Sequence, residues 1–336
     1  QIATAFSDQP QDYRNYIDGA FVPGGAGMIE VLNPATGVLL GRIPESGADQ
    51  VDAAVKAARR AQDAWEKLPA IERAGYLRQI SAKLRQHRLE LADVIVKEGG
   101  KVRGLAQVEV DFTADYIDYM AEWARRIEGE VLTSDRPNET MLLLRKPLGV
   151  VAGVLPWNFP FFLIARKLAP ALVTGNTIVI KPSEETPLNA YLFAELLAET
   201  DLPKGVFNLV GGRGRVSGEA LISHPGIDLI TFTGSVATGS HIMQVAGRNL
   251  TKVNLELGGK APAIVLKDAD LDLAATAIHA SRVINTGQVC NCAERVYVQR
   301  EVHDELVARL KPLFEATRYG DPSAEADLAM GPLVNQ

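Results

Sequence analysis

The 336 residues carry 35 Lys and Arg against 41 Asp and Glu, a formal charge of -6, and 47% are hydrophobic. The basic residues are scattered, which excludes a basic surface for nucleic acid and a polybasic membrane anchor. No apolar run matches a membrane span or a secretory signal, and only two cysteines occur, so the chain reads as a cytoplasmic protein of a reducing compartment with small-molecule partners. Its length allows about two domains around a large core.

In chain order, QIATAFSDQPQDYRNYIDGAF reads as a polar arm without an initiator Met, as after processing or trimming. From Asp49 to Trp65 apolar residues recur at Val51, Ala54, Val55, Ala58, Ala61 and Trp65, the stripe of an amphipathic helix, with Pro69 beyond its end. A second helix is expected from Ile71 to Val96, stopped by Gly99-Gly100, and a third from Leu105 to Arg126, closed by Gly129. The front third is therefore expected to be mostly helical.

After SDRPNE come five short apolar runs: VVAGVL (150 to 155), TIVIK (177 to 181), VFNLV (206 to 210), DLITF (228 to 232) and KVNLEL (252 to 257). Helical stretches separate them, such as TPLNAYLFAELLAET, where Thr186 is placed to cap and Pro187 to start the helix. Apolar strands alternating with helices predict an α/β fold with a doubly wound parallel sheet, which binds ligands at the carboxyl ends of its strands. Those ends carry PWNFP, KPSEE, GGRGRVSG, TGSVATG and GGKAP, with Glu256 just before the last. Neither glycine-rich stretch matches G-x-G-x-x-G. Each fits a tight strand-to-helix turn as well as a close approach to a pyrophosphate.

The two cysteines lie in NTGQVCNCAERV, at 290 and 292. There is no C-x-x-C pair, and His87, His224, His241, His279 and His303 are scattered, so no metal site is expected. A disulfide across one residue would be strained. An inert buried thiol and a nucleophile remain open on these grounds.

GQVCNCAERVYV, LELGGKAP, PWNFP, KPSEETP and FTGS, in register with the strand ends, resemble the aldehyde dehydrogenase superfamily from end to end. EVDFTADYIDYMAEWARR and PWNFPFFLIARKLAPAL resemble most its bacterial lactaldehyde and glycolaldehyde branch. The resemblance implies that Cys290 is the nucleophile, with no role for Cys292. It implies that Asn158 and the Cys290 N–H hold the oxyanion, each such donor being worth about 3 kcal/mol. It makes Glu256 the base that activates water against a thioester, which would require burial to raise its pKa toward neutrality. It also implies Lys167 in the catalytic set, and Trp157, Lys181, Ser183, Glu184, Gly214, Phe232, Gly234, Ser235 and Leu257 at the cofactor. A carboxylate at Glu184 facing the ribose favours NAD over NADP; Glu184 and Glu185 could equally cap the following helix.

Many relatives have an apolar residue at Arg166. An arginine suits a hydroxyl or carboxylate on the substrate, or pairs with a structural acid. The resemblance thus implies NAD-dependent oxidation of a short hydroxyaldehyde. The alternatives are a semialdehyde such as succinate semialdehyde and a non-catalytic member of the family. It divides the chain into an NAD-binding domain at 1–128 and 148–258, an oligomerisation arm at 129–147 serving a homodimer or homotetramer, and a catalytic domain at 259–336. The last is incomplete, lacking an E-x-F-G-P segment, a tunnel wall and a final strand. The chain is thereby expected to be part of a longer enzyme and, alone, inactive and poorly soluble.

Overall fold

A computed structural model describes residues 9–25 and 27–335. It opens with five short strands, β1 (Gln11–Asp12), β2 (Asn15–Ile17), β3 (Ala20–Val22), β4 (Met28–Leu32) and β5 (Leu39–Pro44). β4 and β5 pair antiparallel and β1 adds parallel to β5, while β2 and β3 leave to extend the large sheet. The expected polar arm is therefore structured from Gln11 onward. Tyr13, Tyr16 and Ile17 are buried. Asn15, also buried, donates to Ser46 Oγ at 2.7 Å and accepts from the Gly211 N–H at 2.9 Å. Strands of two or three residues are too short to show a period of two, which hid them in the sequence. Residues 1–8 of that arm and the final Gln336 lie outside the described residues.

Helix α1 (Ala48–Lys67) buries the expected stripe except Ala61, which is half-buried. The long helix expected next is two, α2 (Ala70–Gln86) and α3 (Arg88–Gly99), divided at His87, whose φ of -109° and ψ of 27° leave the helical region. No Gly or Pro marks that break, so the sequence gives no signal for it. α3 ends at Gly100, whose φ of 65° suits a residue without Cβ. Helix α4 (Arg103–Ala121) tightens into a 3-10 turn over Glu122–Arg125, ending short of Arg126. Gly129 does not close it. It sits at the base of a hairpin of β6 (Glu130–Thr133) and β7 (Thr140–Leu143), where a Cβ would stand 2.3 Å from the Leu143 carbonyl oxygen.

The five apolar runs then form β8 (Val150–Val154), β9 (Thr177–Lys181), β10 (Phe207–Leu209), β11 (Leu229–Gly234) and β12 (Lys252–Leu257). Helices α5 (Pro160–Val173), α6 (Leu188–Ala198), α7 (Glu219–Ile222) and α8 (Val236–Asn249) connect them. The sheet order is β12-β11-β8-β9-β10-β2-β3, parallel as far as β10 and antiparallel beyond. Alternate residues serve opposite layers: Val151, Ile178 and Ile180 join the core under α2 to α6, and Val150, Ala152 and Val179 the core under α1 and α8. Strand order reverses between β8 and β11, so the crevice outside their carboxyl ends is the switch point where such sheets take ligands.

The rest of the chain, β13 (Pro262–Val265), α9 (Leu271–Val283), β14 (Arg295–Val298) and α10 (His303–Glu315), has a small core of its own around Val265, Leu271, Ile278 and Leu306. β13 and β14 pair parallel. Among the described residues no helix is long and apolar enough to cross a membrane.

Candidate active site

A cleft of about 830 Å³ opens at the switch point, lined from β8 by Trp157 and Asn158, from α5 by Arg166 and Lys167, from β11 by Gly234 and Ser235, from β12 by Glu256 and Leu257, and from the loop after α9 by Cys290. Nine residues singled out in the sequence thus share one cavity, although up to 133 positions separate them (Trp157 to Cys290).

Cys290 is exposed and Cys292 buried. The loop reaches Cys290 through three consecutive left-handed residues, Asn285, Thr286 and Gly287, with φ of 46°, 59° and 75°. For the β-branched Thr286 this backbone costs about 1–3 kcal/mol, so neighbours must hold it. Thr286 Oγ1 donates to the Gly331 carbonyl at 3.0 Å, Asn285 Nδ2 to the Asn158 carbonyl at 3.1 Å, and the Val334 N–H to Gln288 Oε1 at 3.0 Å. Cys292 belongs to the same bracing, since its thiol donates to the Gly287 carbonyl at 3.1 Å and accepts from Arg282 Nη1 at 3.2 Å.

The Asn158 amide is oriented unambiguously. Its Oδ1 accepts the Phe159 N–H at 2.9 Å and its Nδ2 donates to the Gln288 carbonyl at 3.0 Å, two residues before the nucleophile candidate. An amide nitrogen carries two protons, so one remains for a ligand. Lys167 is buried and donates to Thr233 Oγ1 at 2.7 Å. Burial, then the Arg166 charge, pulls its ammonium down to about 8, with Glu256 opposing. Glu256 itself is exposed on β12, contrary to the expected burial, because β12 is an edge strand in which alternate side chains face solvent. Arg166 lies 5.7 Å from the Tyr116 ring centroid and 5.8 Å from that of Phe162. No described carboxylate stands within ion-pair distance of it, so the alternative of a structural acid finds no partner among the described residues.

Four of the remaining residues form a second cluster at the end of β9, apart from the cleft. Buried Lys181 meets Glu184 at 3.1 Å, and the other Glu184 oxygen accepts the Gly214 N–H at 3.2 Å. Burial raises the Glu184 carboxyl, but Lys181 and the amides outweigh it and hold the group below its ordinary value. Ser183 Oγ accepts the Glu185 N–H at 3.3 Å. Thr186 does not cap α6; its hydroxyl donates to the Trp157 carbonyl at 3.0 Å. The N–H groups of Leu188 and Asn189 go instead to the carboxylate of Glu98, at 2.6 and 2.9 Å. Phe232 faces the core rather than the cleft, and its ring occupies the space a Cβ on Gly234 would need, 2.4 Å away. Ser235 caps α8, accepting the Thr238 N–H at 3.2 Å.

Sequence reasoning missed Lys101 and Glu109, both buried beneath the Asn158 turn, and Glu98. A usable signal existed for Glu109, a charged residue on the apolar stripe that Ala106, Val110, Thr113 and Ile117 define in α4.

A cysteine, an oriented amide and a carboxylate converging at a parallel-sheet switch point suit thiol-based chemistry on a carbonyl. The chain belongs to the aldehyde dehydrogenase family, whose model matches residues 21–336 and whose members use NAD or NADP. It is 59% identical to lactaldehyde dehydrogenase of Escherichia coli (strain K12), over 97% of this chain and 68% of that protein. A solved lactaldehyde dehydrogenase superposes with a TM-score of 0.97 at 58% identity, covering 98% of this chain and 69% of the other. 3,6-Anhydro-L-galactose dehydrogenase, solved in complex with NAP, gives a TM-score of 0.94 at 39% identity, covering 97% and 68%. Among the described residues no group of three or more His, Cys, Asp or Glu is placed to hold a metal ion.

Proposed function

We propose that the protein oxidises a short hydroxyaldehyde of the lactaldehyde or glycolaldehyde type to its carboxylic acid with NAD, in the cytoplasm, as a homodimer or homotetramer assembled through residues 129–147. Residues 1–128 and 148–258 form the cofactor domain in this reading, and 259–336 belong to the catalytic domain. The observation that carries it is the convergence of Cys290, Asn158 and Glu256 on one cleft.

Cys290 attacks the aldehyde carbon as a thiolate, and the oxygen that becomes negative is stabilised by the second Asn158 N–H and the Cys290 backbone N–H. NAD, held by the residues named below, would supply the acceptor for the hydride that leaves this carbon. The thioester left on Cys290 is hydrolysed by water that Glu256 deprotonates, which releases the acid and restores the thiol. Lys167, charged below about pH 8, neighbours Glu256 and fixes Thr233 at the end of β11.

The residues fit a dinucleotide. Glu184 presents a carboxylate about one third exposed (33%) and fixed by Lys181 and Gly214, suited to accept from two ribose hydroxyls and to repel a 2′-phosphate. Ser183 and Gly214 border that carboxylate, while Trp157, Gly234, Ser235 and Leu257 line the way to Cys290, with Phe232 supporting Gly234 from below.

Arg166 favours a second substrate class, because a guanidinium at the cleft with no acidic partner among the described residues suits a substrate carboxylate, as in succinate semialdehyde. Absorbance of the reduced cofactor at saturating NAD or NADP, with lactaldehyde, glycolaldehyde and succinate semialdehyde in parallel on the intact protein, decides among these. The highest kcat/KM is expected for a hydroxyaldehyde with NAD. A clear preference for the semialdehyde would move the assignment to the second class, and no turnover with any of the three would refute both.

A further inference from the structure

Directly behind the Asn158 turn lies an ion pair that the chemistry above leaves unused. Lys101, at the start of the segment between α3 and α4, and Glu109, on α4, have side chains 2% and 0% exposed. The Lys101 ammonium has three protons and three partners. It contacts Glu109 Oε2, donates to the Asn158 carbonyl at 2.8 Å, and stands 3.6 Å above the Phe159 ring centroid. The other Glu109 oxygen accepts the N–H groups of Phe161 and Phe162, at 3.0 and 3.2 Å, in the first turn of α5.

Each member of the pair therefore grips one side of the turn that presents Asn158. Lys101 holds the carbonyl of Asn158 itself, and Glu109 holds the start of the helix that follows. The Asn158 carbonyl also accepts from Asn285, in the loop carrying Cys290. A buried pair used for stability alone is replaceable by apolar residues of similar volume at little or no cost. This pair directs every one of its hydrogen bonds beyond the pair itself into a single turn.

We propose that Lys101 and Glu109 are positioning residues that fix the Asn158 amide at the oxyanion site. The inference rests on the functional reading given above, in which Asn158 stabilises the oxyanion. A displacement of about 1 Å at such a group costs on the order of 100-fold in rate.

The test combines two variants with a direct view of Asn158. Lys101→Met with Glu109→Leu removes both charges together, and Lys101→Arg keeps the charge while changing the donor geometry. Both are made in the intact protein, with and without Asn158→Ala. In the otherwise unaltered protein kcat is expected to fall about 10- to 100-fold, with KM for NAD unchanged. In the Asn158→Ala background the same changes are expected to cost less than about twofold, because their effect passes through Asn158. Independent of turnover, the side-chain amide signal of Asn158 in a nitrogen-15 correlation spectrum, identified by its loss in Asn158→Ala, is expected to shift or broaden in both variants.

Equal losses in both backgrounds would overturn the proposal, as would wild-type kcat in a folded Lys101→Arg protein. If the double replacement does not fold, Lys101→Arg decides alone. A protein without dehydrogenase activity would count against the functional reading only; the amide signal then decides the inference, and an unmoved Asn158 resonance would refute it.

Discussion

Cys290 stands exposed at the cleft while Cys292 is buried, with Arg282 and Gly287 as partners. In the proposed reaction this separates the reacting thiol from a bracing one. Cys290→Ser is expected to abolish dehydrogenase activity and leave NAD binding nearly intact, since a hydroxyl without a dedicated base is a poor nucleophile. Cys292→Ser, which can still donate to Gly287 and accept from Arg282, should stay within a few-fold of wild type; a reversal of these two outcomes in steady-state assays would exchange their roles. Glu184→Ser removes the carboxylate that Lys181 and Gly214 hold, so discrimination against NADP should relax, read as the ratio of kcat/KM values for the two cofactors. Unchanged preference would leave Glu184 tying β9 to the turn at Gly214. Arg166 is packed by aromatic rings and, among the described residues, meets no acid. Arg166→Leu should accordingly raise KM for hydroxyaldehydes and semialdehydes while sparing propanal, and a uniform loss across all three would mark the arginine as structural.

Among the elements, the strands were the most legible. Runs such as TIVIK are buried on both faces, and their ends deliver Asn158, Glu184, Ser235 and Glu256 to the edge of the sheet that the fold rules predict. Helix boundaries were less so. His87 breaks a helix with no breaker residue, and α6 begins on a cap 90 positions away, Glu98, rather than on the neighbouring Thr186. A cap supplied from another element leaves no local spacing to read. The enclosed Glu98 carboxyl is pushed up to about 7 by burial, despite the donors on Asn189 and Leu188 that favour its charged form. An acid whose folded pKa exceeds its ordinary value near 4.5 keeps its proton longer when folded. Its stabilising contribution is therefore full below about pH 4.5 and is lost as pH rises through 7. Thermal midpoints across that window should fall more steeply in wild type than in Glu98→Gln, and parallel profiles would remove Glu98 from the pH dependence.

The whole molecule shows why the site was readable in outline while its supports were not. Cys290, Glu256 and Asn158 sit in short sequence motifs. The pair behind Asn158 acts across 57 and 52 positions, from Lys101 to Asn158 and from Glu109 to Phe161, a relation that only the folded chain discloses. The β6–β7 hairpin is a further property of the molecule rather than of any motif. Val131 opposes Leu142 and Leu132 opposes Met141, and all four are exposed, Val131 at 74% and Leu142 at 64%. A two-stranded ribbon is at best marginally stable in water, and apolar pairs on both of its faces gain nothing while solvated. Covering it with a second copy of the chain would bury these pairs at about 25 cal/mol per Å² of apolar area and complete the edge of the ribbon. Val131→Asp combined with Leu142→Asp places like charges directly opposite each other on one of those faces, where each would have to be desolvated in an interface. Sedimentation velocity of the intact protein should then show a shift to a smaller species at unchanged far-ultraviolet circular dichroism. An unaltered sedimentation coefficient in the doubly charged variant would place the subunit contact elsewhere and leave the hairpin's apolar faces without a subunit to cover them.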